Sequence, residues 1–208
     1  MQQFIEAYLE KLQAEHDLQG VMQVGAQGGY VYLFCIGEQT VAPETRIFQG
    51  KKIRQSVASY QWYQQQIETD DLAIRRFSQA EILYDPEELA AQLVTLAQAK
   101  RAVYQADVRD IELMLASIQW RNDVIAELFF SRQTSEALML SGLLITDVAE
   151  VFRRFHNQLP LQPEYLLQEI KAFDEAMVLM IEGFWRQPSA ARLARIVRYG
   201  TDSVAKYS

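Results

Sequence analysis

The glycine-rich segment Gly25-Ala26-Gln27-Gly28-Gly29 is the first stretch whose composition could serve a chemical function. A glycine-rich turn after a strand can present backbone N–H groups to a phosphate. The segment has neither the spacing of the dinucleotide fingerprint nor the Lys-Ser/Thr ending of a P-loop. Gly25, Gly28 and Gly29 are therefore candidate phosphate-binding residues, and the alternative is an ordinary tight turn.

Histidine and cysteine provide little for metal or nucleophilic chemistry. The two histidines, His16 and His156, lie in different segments, and neither has a partner at ligand spacing. Cys35 is the single cysteine, so it forms no intramolecular disulfide and anchors no cysteine-rich metal site. Its apolar neighbours predict a buried thiol. We predict no metal site from these residues.

Charged side chains interrupt the apolar runs of the second half of the chain. Arg121 and Asp123 lie in one run, and Asp147 lies in the next. The simpler interpretation is a solvated face on each helix. The alternative is that these three residues line a cleft against the first domain, where paired charges hold a polar ligand.

The elements that carry these residues are helical in the second half. Apolar residues recur at steps of three and four over 110–130, 136–156 and 164–185, which predicts three amphipathic helices. Such helices must bury their apolar stripes against one another, so we expect a bundle. A last helix over 190–206 is basic on one side, with arginines at Arg192, Arg195 and Arg198.

The first half alternates helices and strands. A helix is predicted over 2–16, and 30–36 carries the strongest strand pattern. Because the strand is almost continuously apolar, we expect it to be buried on both faces. Two short runs, 45–48 and 52–57, predict a hairpin that turns at 49–51.

Helix starts follow the hairpin. Ser59 can cap a helix over 59–67, and Asp70 or Asp71 can cap the next one. A third helix is predicted to start at Pro86, because proline is favoured at the first helical position and the two glutamates that follow are favourable in the first turn.

These elements together predict an α+β fold in two domains. Residues 1–100 form a small mixed-sheet domain, and residues 101–208 form a helical bundle domain. No Gly/Ser/Pro-rich linker separates them.

Composition narrows the class of partner. Half of the residues are hydrophobic, so a sizeable core can be buried. The formal net charge of −7 argues against general nucleic-acid binding or binding to an anionic membrane surface. No signal peptide is visible, and no apolar stretch reaches the ~20 residues that a membrane span needs. The cytoplasm is the expected compartment.

Residues 76–86 read Arg-Phe-Ser-Gln-Ala-Glu-Ile-Leu-Tyr-Asp-Pro. This segment, preceded by a helix, a strand with a glycine turn and further strands, and followed by a helical bundle, resembles the nucleotidyltransferase superfamily. The similar group has a helical C-terminal domain and includes the aminoglycoside and lincosamide nucleotidyltransferases. In that group a line of the form Arg-x-x-x-Ala-x-Ile-Leu-x-Asp-Pro closes the catalytic domain.

The resemblance implies a metal site that this sequence lacks. The family has Gly-Ser after the first strand and two carboxylates, Asp-x-Asp, on the next strand, which hold the Mg²⁺ that bridges the nucleotide phosphates. Here Gly25-Ala26 replaces Gly-Ser, and 30–36 contains no carboxylate. The resemblance therefore implies a degenerate site. The substitutes that remain are Glu38 and Glu44 as metal ligands, and Asp123 or Asp147 as the base.

Three functions remain open at this point. An active protein would use a nucleoside triphosphate and Mg²⁺ to transfer a nucleotidyl group to a small molecule or protein. A non-catalytic module would instead hold a nucleotide, another small molecule or a protein partner at the glycine turn and the inter-domain cleft. A structural homodimer would bury the aromatic residues Trp62, Trp120 and Trp185.

Overall fold

The computed structural model describes residues 2–27, 30–160 and 166–205. The chain divides into two compact units, here named the sheet unit (Met1–Val103) and the helical unit (Tyr104–Ser208). A mixed sheet with helices comes first and further helices follow, so the predicted α+β fold is confirmed. Within the described residues, no helix has the length and apolarity needed to span a membrane.

The sheet unit is built on five strands in the order β3-β4-β2-β1-β5. The central pair, β2 and β4, is parallel, and the other three pairs are antiparallel. The elements are α1 (Gln2–Glu15), β1 (Leu18–Gln27), β2 (Tyr30–Gly37), β3 (Val41–Phe48), β4 (Lys51–Ala58), α2 (Tyr60–Thr69), α3 (Asp71–Phe77), β5 (Glu81–Tyr84) and α4 (Leu89–Ala102).

Helix α1 covers one face of the sheet. Its apolar stripe, spaced at three and four residues, packs against alternate residues of β2 and β4. This arrangement forms the core of that face, with Cys35 buried in it as predicted. The buried residues include Phe4, Tyr8, Leu12, Val31, Leu33, Cys35 and Ile53.

The opposite face of β2 is covered at one end. The Phe34 ring lies 6.1 Å from the Tyr63 ring of α2 and 5.2 Å from the Phe77 ring of α3, between ring centroids. Ile36, further along the strand, is fully buried. The predicted burial on both faces therefore holds at the Cys35–Gly37 end of β2, whereas Tyr30 and Tyr32 at its start are only half-buried.

Local turn and capping chemistry follows the sequence closely. Gln49 and Gly50 both have positive φ (45° and 75°), as a tight two-residue hairpin loop requires, so the predicted hairpin is confirmed. The Ser59 hydroxyl accepts from the Trp62 backbone N–H at 3.2 Å, and caps α2 as predicted. The Asp70 carboxylate caps α3 in the same way.

The predicted helix start at Pro86 is wrong. Helix α4 begins at Leu89, because the Asp85 carboxylate accepts hydrogen bonds from the Ala90 and Ala91 backbone N–H groups at 2.9 and 2.8 Å. Asp85, which precedes the helix, thus provides acceptors for two of the four backbone N–H groups in the first turn that have no partner within the helix. The segment just before Asp85 forms the edge strand β5, which the sequence did not predict.

The sequence predicts a short strand over 21–24 before the glycine-rich turn, and strand β1 is longer than that. It runs through Gln27, so Gly25 lies inside a strand and the expected turn does not start there. Gly28 and Gly29, the other two candidate phosphate-binding residues, lie outside the described residues.

The helical unit contains five helices within the described ranges. The predicted single helix over 164–185 is wrong, because Asp174 divides it. Asp174 has an extended backbone, with φ −152°, and its carboxylate accepts from the Met177 backbone N–H at 2.8 Å. The helices are α5 (Val108–Phe130), α6 (Thr134–Phe155), α7 (Leu166–Phe173), α8 (Glu175–Arg186) and α9 (Ala190–Ala205).

Candidate functional site

The face of the sheet opposite α1 carries aromatic and cationic side chains on neighbouring strands. Parallel pairing places Tyr30 of β2 beside Lys52 of β4, and Tyr32 beside Arg54. Because side chains alternate along a strand, these four residues lie on one side of the sheet. We call these four residues the open face.

The side chains of the open face are accessible. Lys52 and Arg54 are exposed, and both tyrosines are half-buried. The helices that cover this side of the sheet pack on Phe34, two residues beyond Tyr32. Neither cation forms a salt bridge with any residue that the structure describes.

The tyrosines and Lys52 contact one another through their rings. The centroids of Tyr30 and Tyr32 are 6.2 Å apart with an interplanar angle of 43°. The Lys52 ammonium lies 5.2 Å from the Tyr30 ring centroid, within cation–π range. Tyrosine rings provide a stacking surface for a planar base, and lysine and arginine provide donors for phosphate oxygens.

These side chains do not fit a magnesium ion. Mg²⁺ takes oxygen ligands, mainly carboxylates and water, in a tight octahedron. The resemblance expects two carboxylates at alternate positions of this strand, and Tyr30 and Tyr32 occupy alternate positions here. The two cations on β4 would repel a metal ion and attract an anion.

Glu44, a candidate metal ligand, lies on the other face of the sheet in a network of hydrogen bonds. The Tyr8 hydroxyl donates to Gln55 Oε1 at 2.5 Å, and Gln55 Nε2 donates to Glu44 Oε1 at 2.6 Å. Arg46 forms ion pairs with Glu44, at 2.7 Å, and with Glu15. We call these five residues the closed network. Because the Glu44 carboxylate already has two donors, it acts here as a structural acceptor.

Burial and pairing within the closed network shift its ionisation. Burial raises the pKa of Tyr8 to about 12, so the hydroxyl keeps its proton at neutral pH. The hydrogen bond from Arg46 holds the pKa of Glu15 below its ordinary value. The network is therefore internally satisfied, with a neutral donor at one end and an ion pair at the other.

Glu38, the other candidate metal ligand, lies beyond the end of β2. It is exposed and lines a cavity of about 220 Å³ together with Glu15, His16 and Asp17. Within the described ranges, no group of three or more His, Cys, Asp or Glu side chains is placed to hold a metal ion.

The structure brings together two of the three charged candidates in the helical unit. Arg121 of α5 forms an ion pair with Asp147 of α6 and donates to the Ser117 hydroxyl at 2.8 and 3.2 Å. Burial raises the pKa of Asp147, against the opposing effect of Arg121. Asp123 is exposed and accepts from Gln119 on its own helix at 3.2 Å. The cleft against the first domain stays a prediction.

None of the open-face residues was a candidate from the sequence. A signal was present in the alternation, since Tyr-x-Tyr and Lys-x-Arg each place two like side chains on one side of a strand. Two observations were missing: that the strands are parallel neighbours and that they pair in this register.

Comparison with known proteins gives a likeness at the level of structure. No protein family model matches the sequence, and no curated protein matches it. The crystal structure of a nucleotidyltransferase-like protein from Exiguobacterium sibiricum is similar, with a TM-score of 0.50 and 11% sequence identity. The alignment covers 99% of this chain and 74% of that one.

The fold is nucleotidyltransferase-like. At 11% identity, the likeness concerns the fold alone. Evidence for the function of this chain therefore comes from its own side chains.

Proposed function

We propose that this chain is a degenerate nucleotidyltransferase-like protein that binds a nucleotide on its open face without a metal ion and does not transfer it. The observation that carries the proposal is the pairing of Tyr30 with Lys52 and of Tyr32 with Arg54. Two aromatic rings occupy β2, the strand on which the resemblance expects metal-binding carboxylates, and two cations lie beside them on β4.

The ligand chemistry follows from the side chains. A base stacked on an exposed aromatic ring gains about 1–3 kcal/mol, and the gain varies little with the base because every base has a π-face. The guanidinium of Arg54 can donate two parallel hydrogen bonds to a phosphate, and the ammonium of Lys52 acts as a point charge. We therefore expect binding of a nucleoside di- or triphosphate with weak base preference.

Loss of transfer follows from the same side chains. Phosphoryl and nucleotidyl transfer need positive charge that bridges the phosphates and stabilises the negative charge that develops in the transition state. Lys52 and Arg54 offset only part of the charge of a bound triphosphate, and the four residues of the open face include no carboxylate or histidine that could act as the base. The proposed protein is thus a binder of nucleotide, and a cytoplasmic location would expose it to that ligand.

The competing proposal is an active transferase of the aminoglycoside or lincosamide type. It would need Glu38 and Glu44 as metal ligands and Asp123 or Asp147 as the base. The hydrogen bonds of Glu44 to Gln55 and Arg46 weigh against it, because metal binding would break both. The pairing of Asp147 with Arg121 likewise occupies a candidate base.

A thermal-shift experiment tests the proposal. The full-length protein is heated with ATP, GTP, CTP or UTP, each with EDTA and with Mg²⁺, and pyrophosphate release is measured in parallel. Binding to the native state raises the unfolding midpoint by mass action. We expect a shift with EDTA that Mg²⁺ does not increase, and no pyrophosphate. A shift that needs Mg²⁺, or release of pyrophosphate, would support the active transferase instead.

Exposed aromatic residues support a second candidate, a homodimer. Trp120 of α5 is 66% exposed and Phe130, at the end of the same helix, is 88% exposed. Exposed aromatics of this size are enriched in protein interfaces. Sedimentation equilibrium across a hundredfold concentration range tests this candidate, and a mass that stays monomeric would exclude it.

A further inference from the structure

Helices α8 and α9 enclose a groove of about 810 Å³ within the helical unit. Its volume lies within the range of small-molecule sites, about 300–1,000 Å³. One wall of the groove is apolar and comes from α8, and the other is cationic and comes from α9. We call it the arginine groove.

The apolar wall lies at the edge of the core of the helical unit. Met177 and Ile181 of α8 are buried in the core of the helical unit. Leu179 and Met180 line the groove, and Met180, which is half-buried, also packs against the edge of this core. Leu179 is 63% exposed. An exposed leucine alone is ordinary, but here it lies beside a methionine that lines the same groove.

The cationic wall follows from the helical period of α9. Leu193, Ile196 and Val197 are buried, so the arginines at the intervening and flanking positions, Arg192, Arg195 and Arg198, project away from the core. Among the residues that the structure describes, none forms a hydrogen bond or ion pair with Arg195 or Arg198. These two side chains are three residues apart, which places them next to each other on one helix face.

Three hydrogen bonds fix the walls of the groove. The Arg192 guanidinium donates to the Gly183 carbonyl at 2.5 Å and to Gln187 Oε1 at 2.6 Å, which ties α9 to the end of α8. The Tyr199 hydroxyl donates to Asp174 Oδ2 at 2.8 Å, and Asp174 caps the start of α8. Hydrogen bonds therefore join α9 to both ends of α8, which holds the two walls of the groove in place.

The charge of the arginine groove is opposite to that of the chain. Asp202 is the single carboxylate among its described lining residues, against three arginines. The chain as a whole carries a formal net charge of −7. Arg192 is engaged in the contacts above, so Arg195 and Arg198 remain to bind an anion.

We propose that the arginine groove binds a small organic anion, with its phosphate or carboxylate group between Arg195 and Arg198 and its aliphatic part against Leu179 and Met180. Guanidinium groups recognise both kinds of oxyanion through paired hydrogen bonds. The apolar wall requires a hydrocarbon part of the ligand and distinguishes it from inorganic phosphate. This inference is independent of the nucleotide site proposed for the sheet unit.

Methionine methyl NMR of the full-length protein tests the proposal. Met180 lines the arginine groove, and fully buried Met177, on the same helix, belongs to the core. The chain has six methionines, whose ¹³C-methyl signals can be assigned by Met-to-Leu substitution. The probes are hexyl phosphate, hexanoate, inorganic phosphate and hexanol.

We expect hexyl phosphate or hexanoate to shift the Met180 signal in a saturable way, and the better of the two identifies the anionic group. Inorganic phosphate and hexanol, which each lack one half of the ligand, should bind at least about tenfold more weakly. The methyl signal of Met177 should not shift, which would show that the core is unchanged.

A charge-matched pair of variants completes the test. The double substitution Arg195→Gln/Arg198→Gln should weaken binding at least about tenfold, the cost of losing a charge-assisted hydrogen bond. The control, Arg109→Gln/Arg186→Gln, removes two exposed arginines that do not line the groove. An unmoved Met180 signal with both anionic probes, or equal binding by the two double variants, would overturn the proposal.

Discussion

The two faces of the sheet can be compared along a single strand. In β4, Ile53 and Gln55 point toward α1 and are buried, and Lys51 lies on the same side with its ammonium 4.6 Å from the Phe4 ring centroid. Lys52 and Arg54, between them, point to the other side and are exposed. Five consecutive residues therefore alternate between a closed face and an open one.

The difference between the faces lies in where the polar groups find partners. On the closed face, each polar side chain of the closed network is bonded to another member of it. On the open face, the cations have no ionic partner among the described residues. Groups of the first kind stabilise the fold, since breaking them leaves buried polar atoms unsatisfied. Groups of the second kind contribute little to stability and are available to a ligand.

The largest expected change in the free energy of unfolding comes from Ile53→Ala on the closed face. This truncation leaves a cavity in the core and should cost about 2–5 kcal/mol of unfolding free energy. Arg54→Ala, the adjacent residue on the open face, should change it by less than about 0.5 kcal/mol.

Urea titration, monitored by labelling of Cys35, measures the unfolding free energy of the sheet unit in both variants. The thiol is buried and burial raises its pKa to about 12, so it reacts only when the unit unfolds. Equal losses for Ile53→Ala and Arg54→Ala would contradict the distinction between the faces.

Tyr8→Phe should have the next largest effect. It removes the hydroxyl that donates to Gln55 Oε1 and leaves a buried acceptor without its donor. We expect a loss of about 1–3 kcal/mol by urea unfolding. Tyr32→Phe on the open face is the matched control and should leave the midpoint unchanged. If the two Tyr-to-Phe variants lose the same stability, the closed network is not structural.

A smaller effect appears in alkaline solution. The pKa of Tyr8 is raised from 10.0 to about 12 in the folded state, so the folded state holds this proton more tightly. The stability from this group is present below pH 10 and is lost as the pH rises toward 12. Burial raises the pKa of Tyr63 in the same direction, so Tyr8→Phe should reduce the alkaline loss without removing it. An unchanged pH profile in Tyr8→Phe would exclude Tyr8 as a contributor.

The smallest effect is expected at the exposed end of the closed network. Arg46 lowers the pKa of Glu15, so the stability from this pair is present above the ordinary glutamate pKa and is lost as the pH falls through the lowered value. Arg46→Met should flatten this acid-range loss and lower stability only slightly, because both side chains are partly exposed. Arg54→Met should leave the acid-range profile as it is, and a profile that changes equally in both would contradict the assignment.

The fold was predictable where local chemistry determines it. Positive φ at Gly50 and the caps at Ser59 and Asp70 are set by neighbouring residues, and the sequence contains that information. The break at Asp174 was missed because apolar periodicity continues across it, and a capping aspartate has no marker within a periodic run.

The candidate site was not predictable for a different reason. Tyr30 and Lys52 are distant in sequence and become neighbours through the parallel pairing of β2 with β4. Parallel register depends on how the rest of the sheet packs, and no short-range pattern specifies it. Single strands therefore indicated which side chains share a face, and only the structure showed which strands meet.

Nucleotide titration in EDTA, with two lysine variants, tests the central claim most directly. Lys52→Ala and Lys51→Ala remove the same charge from consecutive residues on opposite faces of the sheet. We predict that Lys52→Ala weakens ATP binding at least about tenfold, and more so with Arg54→Ala added, while Lys51→Ala binds as the wild type does. Equal weakening by both lysine variants, or no ATP binding by the wild type, would contradict a nucleotide site on the open face.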